Sequence, residues 1–355
     1  MTDRFRPDAH MVLIGSQPLT DHAEAMRLIF EHTPEIPTWA QLPVYANEAM
    51  VPQFADGLPG LVSQGDRLFV DLDAADIEDQ LLAFFEAYLD VTEQDGAWDA
   101  SPFVLSPDSA RGFFTLLEAL PAHMEGVRAL KGHVTGPITF CTALKDQRRR
   151  AIFYQDALRD AAVKLLALKA GWQARQLARF GRPVIIFIDE PALAGYGSSE
   201  FISISREAIS ACLEEVIKSI HDQGALAGVH VCANTDWSML LDSSLDVVNF
   251  DAHGYFDKFM LYSRELRNFL QSGRILAWGL VPTLDVEAVE AATMESLWQG
   301  WCEKRQAVCN LGITDEVLRS QSLITPSCGT GSLTPALNRK VLQLTQALSE
   351  KIRQE

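Results

Sequence analysis

The chain has 355 residues, 48% hydrophobic and 22% charged, with a formal net charge of −17. That is the composition of a globular protein, and its acidic balance argues against nucleic acid, whose phosphates it would repel. No apolar run reaches the roughly 18 residues of a membrane helix, and the opening MTDRFRPDAH lacks the apolar stretch of a signal peptide; the expectation is a cytoplasmic protein without membrane association.

In chain order, the first strand-like run is MVLIGS, Met11–Ser16, followed by a weaker one, RLFVDL, Arg67–Leu72. From about Asp73 to Ala129 the pattern is helical and reads as an insertion. Strand-like runs resume with LKGHVTG (Leu130–Gly136), PVIIFIDEP (Pro183–Pro191), LAGVHVC (Leu226–Cys232), DVVNFD (Asp246–Asp251), ILAWGLV (Ile275–Val281) and SLITPS (Ser322–Ser327). Between them lie helical patterns. Asp156–Phe180 carries an apolar stripe at Ala161, Leu165, Leu168 and Trp172; Arg206–Gln223 stops at Gly224, and Glu287–Leu311 at Gly312. Continuous apolar runs such as PVIIFI suit parallel strands buried on both faces. Eight strands alternating with helices predict an α/β fold, a single-domain (β/α)8 TIM barrel over residues 1–355 with a helical insertion at 73–129. A doubly wound sheet is the other arrangement the alternation allows.

In such a barrel the reactive groups gather at the C-terminal ends of strands. Ser16, Asp189 with Glu190, His230 with Cys232, Asp251 with His253, and Cys328 all fall at such ends. His230 and Cys232 are two apart and share one face of a regular strand. An imidazole and a thiolate make half of a tetrahedral zinc site; Asp251 offers an oxygen and Cys328 a second sulfur. The six cysteines (Cys141, Cys212, Cys232, Cys302, Cys309, Cys328) lack the spacing of a disulfide scaffold. Cys232 and Cys328 are also readable as small buried hydrophobes.

In IDEP, Ile188–Pro191, the adjacent carboxylates of Asp189 and Glu190 point to opposite faces, so one of them looks into the barrel mouth. Helix capping and ion pairing compete with that use. Gly15-Ser16 and the GTG of Gly329–Gly331 match no complete phosphate-loop fingerprint; they read as glycines for turns or close backbone approach. Trp237 and Trp278 either flank a planar ligand near the mouth or pack in the core.

Six motifs stand in one order: IGSQPLT (Ile14–Thr20), GPIT (Gly136–Thr139), IDEPAL (Ile188–Leu193), HVC (His230–Cys232), DVVNFD (Asp246–Asp251) and PSCG (Pro326–Gly329). Together they resemble the catalytic barrel of cobalamin-independent methionine synthase, a fold shared with uroporphyrinogen decarboxylase and the corrinoid-dependent methyltransferases. The resemblance spans about residues 11–335. It implies zinc held by His230, Cys232 and Cys328, with Asp251 standing where the family carries a glutamate ligand. It also implies that Ser16 and Asp189 hold the amino acid moiety of homocysteine, with Glu190 adjacent.

Two departures from the family bear on the methyl donor. The long methionine synthases carry an additional N-terminal barrel that helps bind folate, whereas here the chain opens at the catalytic barrel. They also carry a histidine after the seventh strand that helps protonate the folate leaving group. Here WGLVPTLDVEAVE, Trp278–Glu290, has none. A methylcobamide leaves as cob(I)amide without an acid. The resemblance therefore implies a short, zinc-dependent homocysteine methyltransferase that takes its methyl from a corrinoid, free or held by a carrier protein. The alternatives are the same chemistry on another thiol such as coenzyme M, a metal-free decarboxylase, which would need an arginine-rich mouth, and a binding module without turnover.

Overall fold

Two short strands, β1 (Leu61–Gln64) and β2 (Arg67–Val70), form an antiparallel hairpin. Six apolar runs form a separate parallel sheet in sequence order: β3 (Leu130–Thr135), β4 (Val184–Asp189), β5 (Leu226–Val231), β6 (Val247–Phe250), β7 (Ile275–Val281) and β8 (Ser322–Pro326). The computed structural model describes residues 5–65, 67–93, 98–197 and 203–355. Every residue of β3, β6, β7 and β8 is buried, because helices cover the outside and side chains fill the inside, as continuous apolar strands require.

The sheet curls. Its concave face carries a small core of its own, in which Ile185, Phe187, Val247, Ile275, Ala277 and Leu323 meet Val12, Ile14, Ile36 and Ala129. The larger core lies between the convex face and the helices. Two extended segments run along the open side. Met11 bridges to Ile324 of β8, Thr38 to Lys131 of β3, and Ser16 to Gln41, each as an isolated parallel bridge. Among the described residues the curled sheet thus has six laddered strands, with two segments held by isolated bridges, where eight strands were expected.

Two expectations are corrected here, and one segment gave no expectation. Arg67–Leu72 does not join the main sheet. Its β2 portion folds back on β1 as a partly exposed arm with only Val70 buried. The segment that does reach β3, around Thr38–Gln41, is short, mixes Trp39 and Ala40 with polar Thr38 and Gln41, and is flanked by Pro37 and Pro43, so it gives no continuous strand signal. The expected helix Glu287–Leu311 is two helices, Val286–Ala291 and Met294–Cys309. The break follows from Thr293, whose hydroxyl caps Ser296 N while Ser296 returns a bond to the Thr293 backbone.

Within 73–129 the described residues hold the helices Ile77–Glu93 and Arg111–His123. This segment explains why the helix Asp156–Ala178 is buried on nearly every side rather than striped. Asp99 accepts from Trp172 Nε1 at 2.9 Å and from Gln176 Nε2 at 3.1 Å, covering a flank that would otherwise face water. Among the described residues, no helix is long and apolar enough to cross a membrane.

Candidate metal and substrate site

The concave face changes character along the strands. On β4, Ile185 and Phe187 belong to the inner core, and the next inward residue, one pleat further on, is Asp189. The parallel register sets Asp189 beside His230 of β5 and His230 beside Asn249 of β6. Cys232 lies just past the end of β5, and Cys328 two residues past β8.

His230 is buried, and its Nδ1 meets Asn249 Oδ1. The Asn249 amide cannot turn over, because its Nδ2 donates to the Ala277 carbonyl at 3.0 Å and to Thr325 Oγ1 at 2.9 Å. Its oxygen therefore faces His230, so Nδ1 carries a ring proton and Nε2 is the nitrogen turned toward the sulfurs. Nε2 points at Cys328 Sγ, 3.5 Å away. One ligand atom each from His230, Cys232 and Cys328 lie within 4.8 Å of one another. A nitrogen oriented by a second hydrogen bond and two sulfurs fit zinc.

The two thiols are shifted in opposite directions. The bond from Cys328, aided by His230 and opposed by burial, pushes Cys232 down to about 4. The same bond, and then burial, pushes Cys328 well above the usual thiol range.

The remaining expected residues separate. Asp251 is not drawn into the group. Its short side chain turns into its own loop, where Oδ1 accepts from Gly254 N at 2.8 Å, and burial lifts its carboxyl to about 6. Asp189 and Glu190 do point to opposite sides. Asp189 faces inward, its Oδ1 without a partner among the described residues, and burial raises it to about 6 against the pull of His230 and Lys131. Lys131 is wholly buried nearby, donates Nζ to the Ile14 carbonyl at 2.6 Å and sits 4.6 Å over the Phe187 ring.

Glu190 is a correction: it does not line the cavity toward which Asp189 faces. Behind the sheet it accepts from Ile138 N and Thr139 N at 2.8 Å each and from Thr139 Oγ1 at 2.6 Å. It thereby satisfies the start of the helix Pro137–Ala143. Gly136 must lack a side chain there, since a Cβ would lie 2.1 Å from Glu190 Cδ.

Ser16 accepts from Gly331 N at 3.3 Å through Oγ, and its carbonyl takes Thr330 N at 2.9 Å. The GTG turn is thus a close-approach element: a Cβ on Gly329 would stand 2.0 Å from Ser16 Oγ. Trp237 and Trp278 are core residues, fully buried against Phe250.

Ser16, Asp189, His230, Cys232 and Cys328 line one cavity of about 160 Å3 at the C-terminal rim of the sheet. Gln41, Met50 and His133 also line it, and the sequence reading missed all three. The signal for His133 was the inward alternation Lys131, His133, Thr135 along β3, but a strand histidine looks the same in sequence whether it faces a ligand or a core.

Fold and site together define an α/β protein with a His–Cys–Cys group opening on a small, partly apolar cavity. No protein-family model matches the chain, and no curated protein matches it. Among solved structures, a B12-independent methionine synthase from a Shewanella species, in complex with selenomethionine, is similar with a TM-score of 0.47 and 20% identity over 67% of each chain. A broad-specificity endoglucanase from Clostridium acetobutylicum overlaps with a TM-score of 0.40 and 12% identity, over 69% of this chain and 84% of its own. At such overlap neither neighbour defines an activity.

Proposed function

We propose that this chain is a zinc-dependent methyltransferase that moves a methyl group from a methylcobamide to the thiol of homocysteine, giving methionine. The observation that carries the reading is the convergence of His230, Cys232 and Cys328 beside the unpaired carboxylate oxygen of Asp189 in one cavity. When bound, zinc supplies the Lewis acidity that keeps a substrate thiol ionised near neutral pH. His230, Cys232 and Cys328 hold the metal, and Asn249 fixes the imidazole nitrogen offered to it. Asp189 accepts the substrate ammonium. Ser16 donates its hydroxyl to the amino acid end. The cavity, about 160 Å3, has room for roughly five waters at about 30 Å3 each, which suits a small amino acid thiol. The protein's main contribution is to hold that thiol in line with the incoming methyl.

Segment 278–290, which lacks a histidine to protonate a poor leaving group, supports a corrinoid donor, free or on a carrier protein. Among the described residues no arginine lines the cavity, so a decarboxylase reading lacks its anion clamp. Coenzyme M would set a sulfonate against Asp189. We also read residues 1–355 as one (β/α)8 unit with the 73–129 segment as its insertion; the bridges at Met11, Ser16 and Thr38 support segments 9–16 and 37–41 as its first two strands.

The test is the metal content of purified protein, followed by methylation of homocysteine with methylcobalamin. The expected result is near one zinc per chain and methionine formed. Zinc without methionine would move the substrate to another thiol or the donor to a carrier, and protein without zinc would overturn the reading.

A further inference from the structure

One buried group in the cavity has no task in the proposed reaction. His133 is 2% exposed. Its ring stacks on Trp39, with centroids 3.7 Å apart and planes 18° from parallel. Gly15, at φ +149°, packs against the ring so closely that a Cβ would lie 2.7 Å from Cε1. Trp39 Nε1 donates to Gln173 Oε1 at 3.0 Å, and Gln173 Nε2 donates to the His133 carbonyl at 2.9 Å. Ring and backbone are both clamped.

Yet neither ring nitrogen has a hydrogen-bond partner among the described residues, and neither does Asp189 Oδ1 in the same cavity. Buried polar atoms are rarely left unpaired. Both residues that carry them line one small cavity, and such unfinished groups mark where a ligand's polar groups belong. Burial, with Lys131 adding, holds the ring well below the usual imidazole range, so it offers one N–H donor and one lone pair. A carboxylate such as Asp189 selects a cation. A donor N–H beside it selects an anion. An α-amino acid carries both on one carbon.

We propose that His133 is a specificity-determining residue whose ring N–H donates to the carboxylate of the amino acid thiol while Asp189 holds the ammonium. The inference rests on the functional reading above and adds to it the reason that thiols lacking a carboxylate are rejected: they would leave a buried donor unpaired.

The test uses the full chain loaded with zinc and two probes, homocysteine and its decarboxylated analogue 3-aminopropane-1-thiol. Calorimetry gives both dissociation constants, and zinc content and Tm are recorded for each variant. Wild type should prefer homocysteine by about 100-fold or more. His133→Met and His133→Gln are nearly equal in length and volume and differ in the polar head. His133→Met should weaken homocysteine by about 10- to 100-fold and leave the aminothiol within about 3-fold, so the preference collapses. His133→Gln, which keeps an N–H donor, should recover most of it. The inference is overturned if His133→Met keeps the wild-type preference, if it weakens both thiols equally, or if His133→Gln behaves like it. A wild type that binds homocysteine while the Met variant is neutral sinks this inference alone; a wild type that binds neither thiol sinks the functional reading as well.

Discussion

Asp189 and Glu190 are neighbours at the end of one strand, and they occupy two regions with opposite states of completion. Behind the sheet, Glu190 receives three donors and lies against a glycine that leaves it room. Inside the curl, Asp189 keeps a buried oxygen that has no partner among the described residues, and His133 in the same cavity is in the same condition. Burial raises both carboxyls, to about 7 and about 6. A raised carboxyl therefore does not tell these two environments apart. The hydrogen bonding does.

The contrast is open to attack on each side. Gly136→Ala should have the largest effect, because its Cβ would collide with a carboxylate that three bonds hold in place. A loss of about 3 kcal/mol or more is expected, read by urea denaturation, and unchanged stability would mean that the cradle around Glu190 is misplaced. On the ligand side, Cys328→Ser should drop bound zinc from near one per chain to near zero and abolish methyl transfer, with little change in far-UV circular dichroism. Stoichiometric zinc in that variant would remove Cys328 from the ligand set.

Glu190→Gln comes next. Its amide nitrogen would face a donor, at a cost of about 1–3 kcal/mol. The pH dependence has a definite sign. The folded carboxyl titrates at about 7, above its ordinary 4.5, so its contribution is complete below about pH 4.5 and is lost as pH rises through 7. The stability gap between wild type and Glu190→Gln should therefore narrow from pH 5 to pH 8, by at most roughly 3 kcal/mol. A gap that widens with pH would show that the three donors outweigh burial. Asp189→Asn should be the mildest for the fold. Stability should stay within about 1 kcal/mol of wild type, since an amide is cheaper to bury than a carboxylate but no longer attracts the buried Lys131 ammonium. Homocysteine affinity should fall by about 10-fold or more, and a calorimetric titration that matches wild type would take Asp189 out of the substrate site.

The sheet was legible where burial on both faces wrote itself as continuous apolar runs, as in β4 and β7. It was illegible at Thr38–Gln41, where isolated bridges between prolines need no continuous apolar run. The strand ends pointed to His230, Cys232, Cys328, Ser16 and Asp189, because period-two alternation carries an inward residue to the rim. Alternation also separates Asp189 from Glu190, but only the packing of Phe187 decides which of them faces in. Asp251 was misleading because a carboxylate one bond shorter than glutamate finds its own loop's N–H first. His133 was missed because its two unpaired nitrogens are a property of its surroundings, not of its neighbours in sequence.

The Asn249 amide bears on how this site can change over generations. One of the two acceptors that fix its orientation is the carbonyl of Ala277, a main-chain group that no replacement of the Ala277 side chain removes. Mutation at Thr325 can weaken the arrangement, but part of the instruction that selects the imidazole nitrogen is written in the peptide backbone, beyond the reach of point substitution at that position. The thiols can drift and be lost one at a time; the setting of the histidine between them is inherited with the sheet itself.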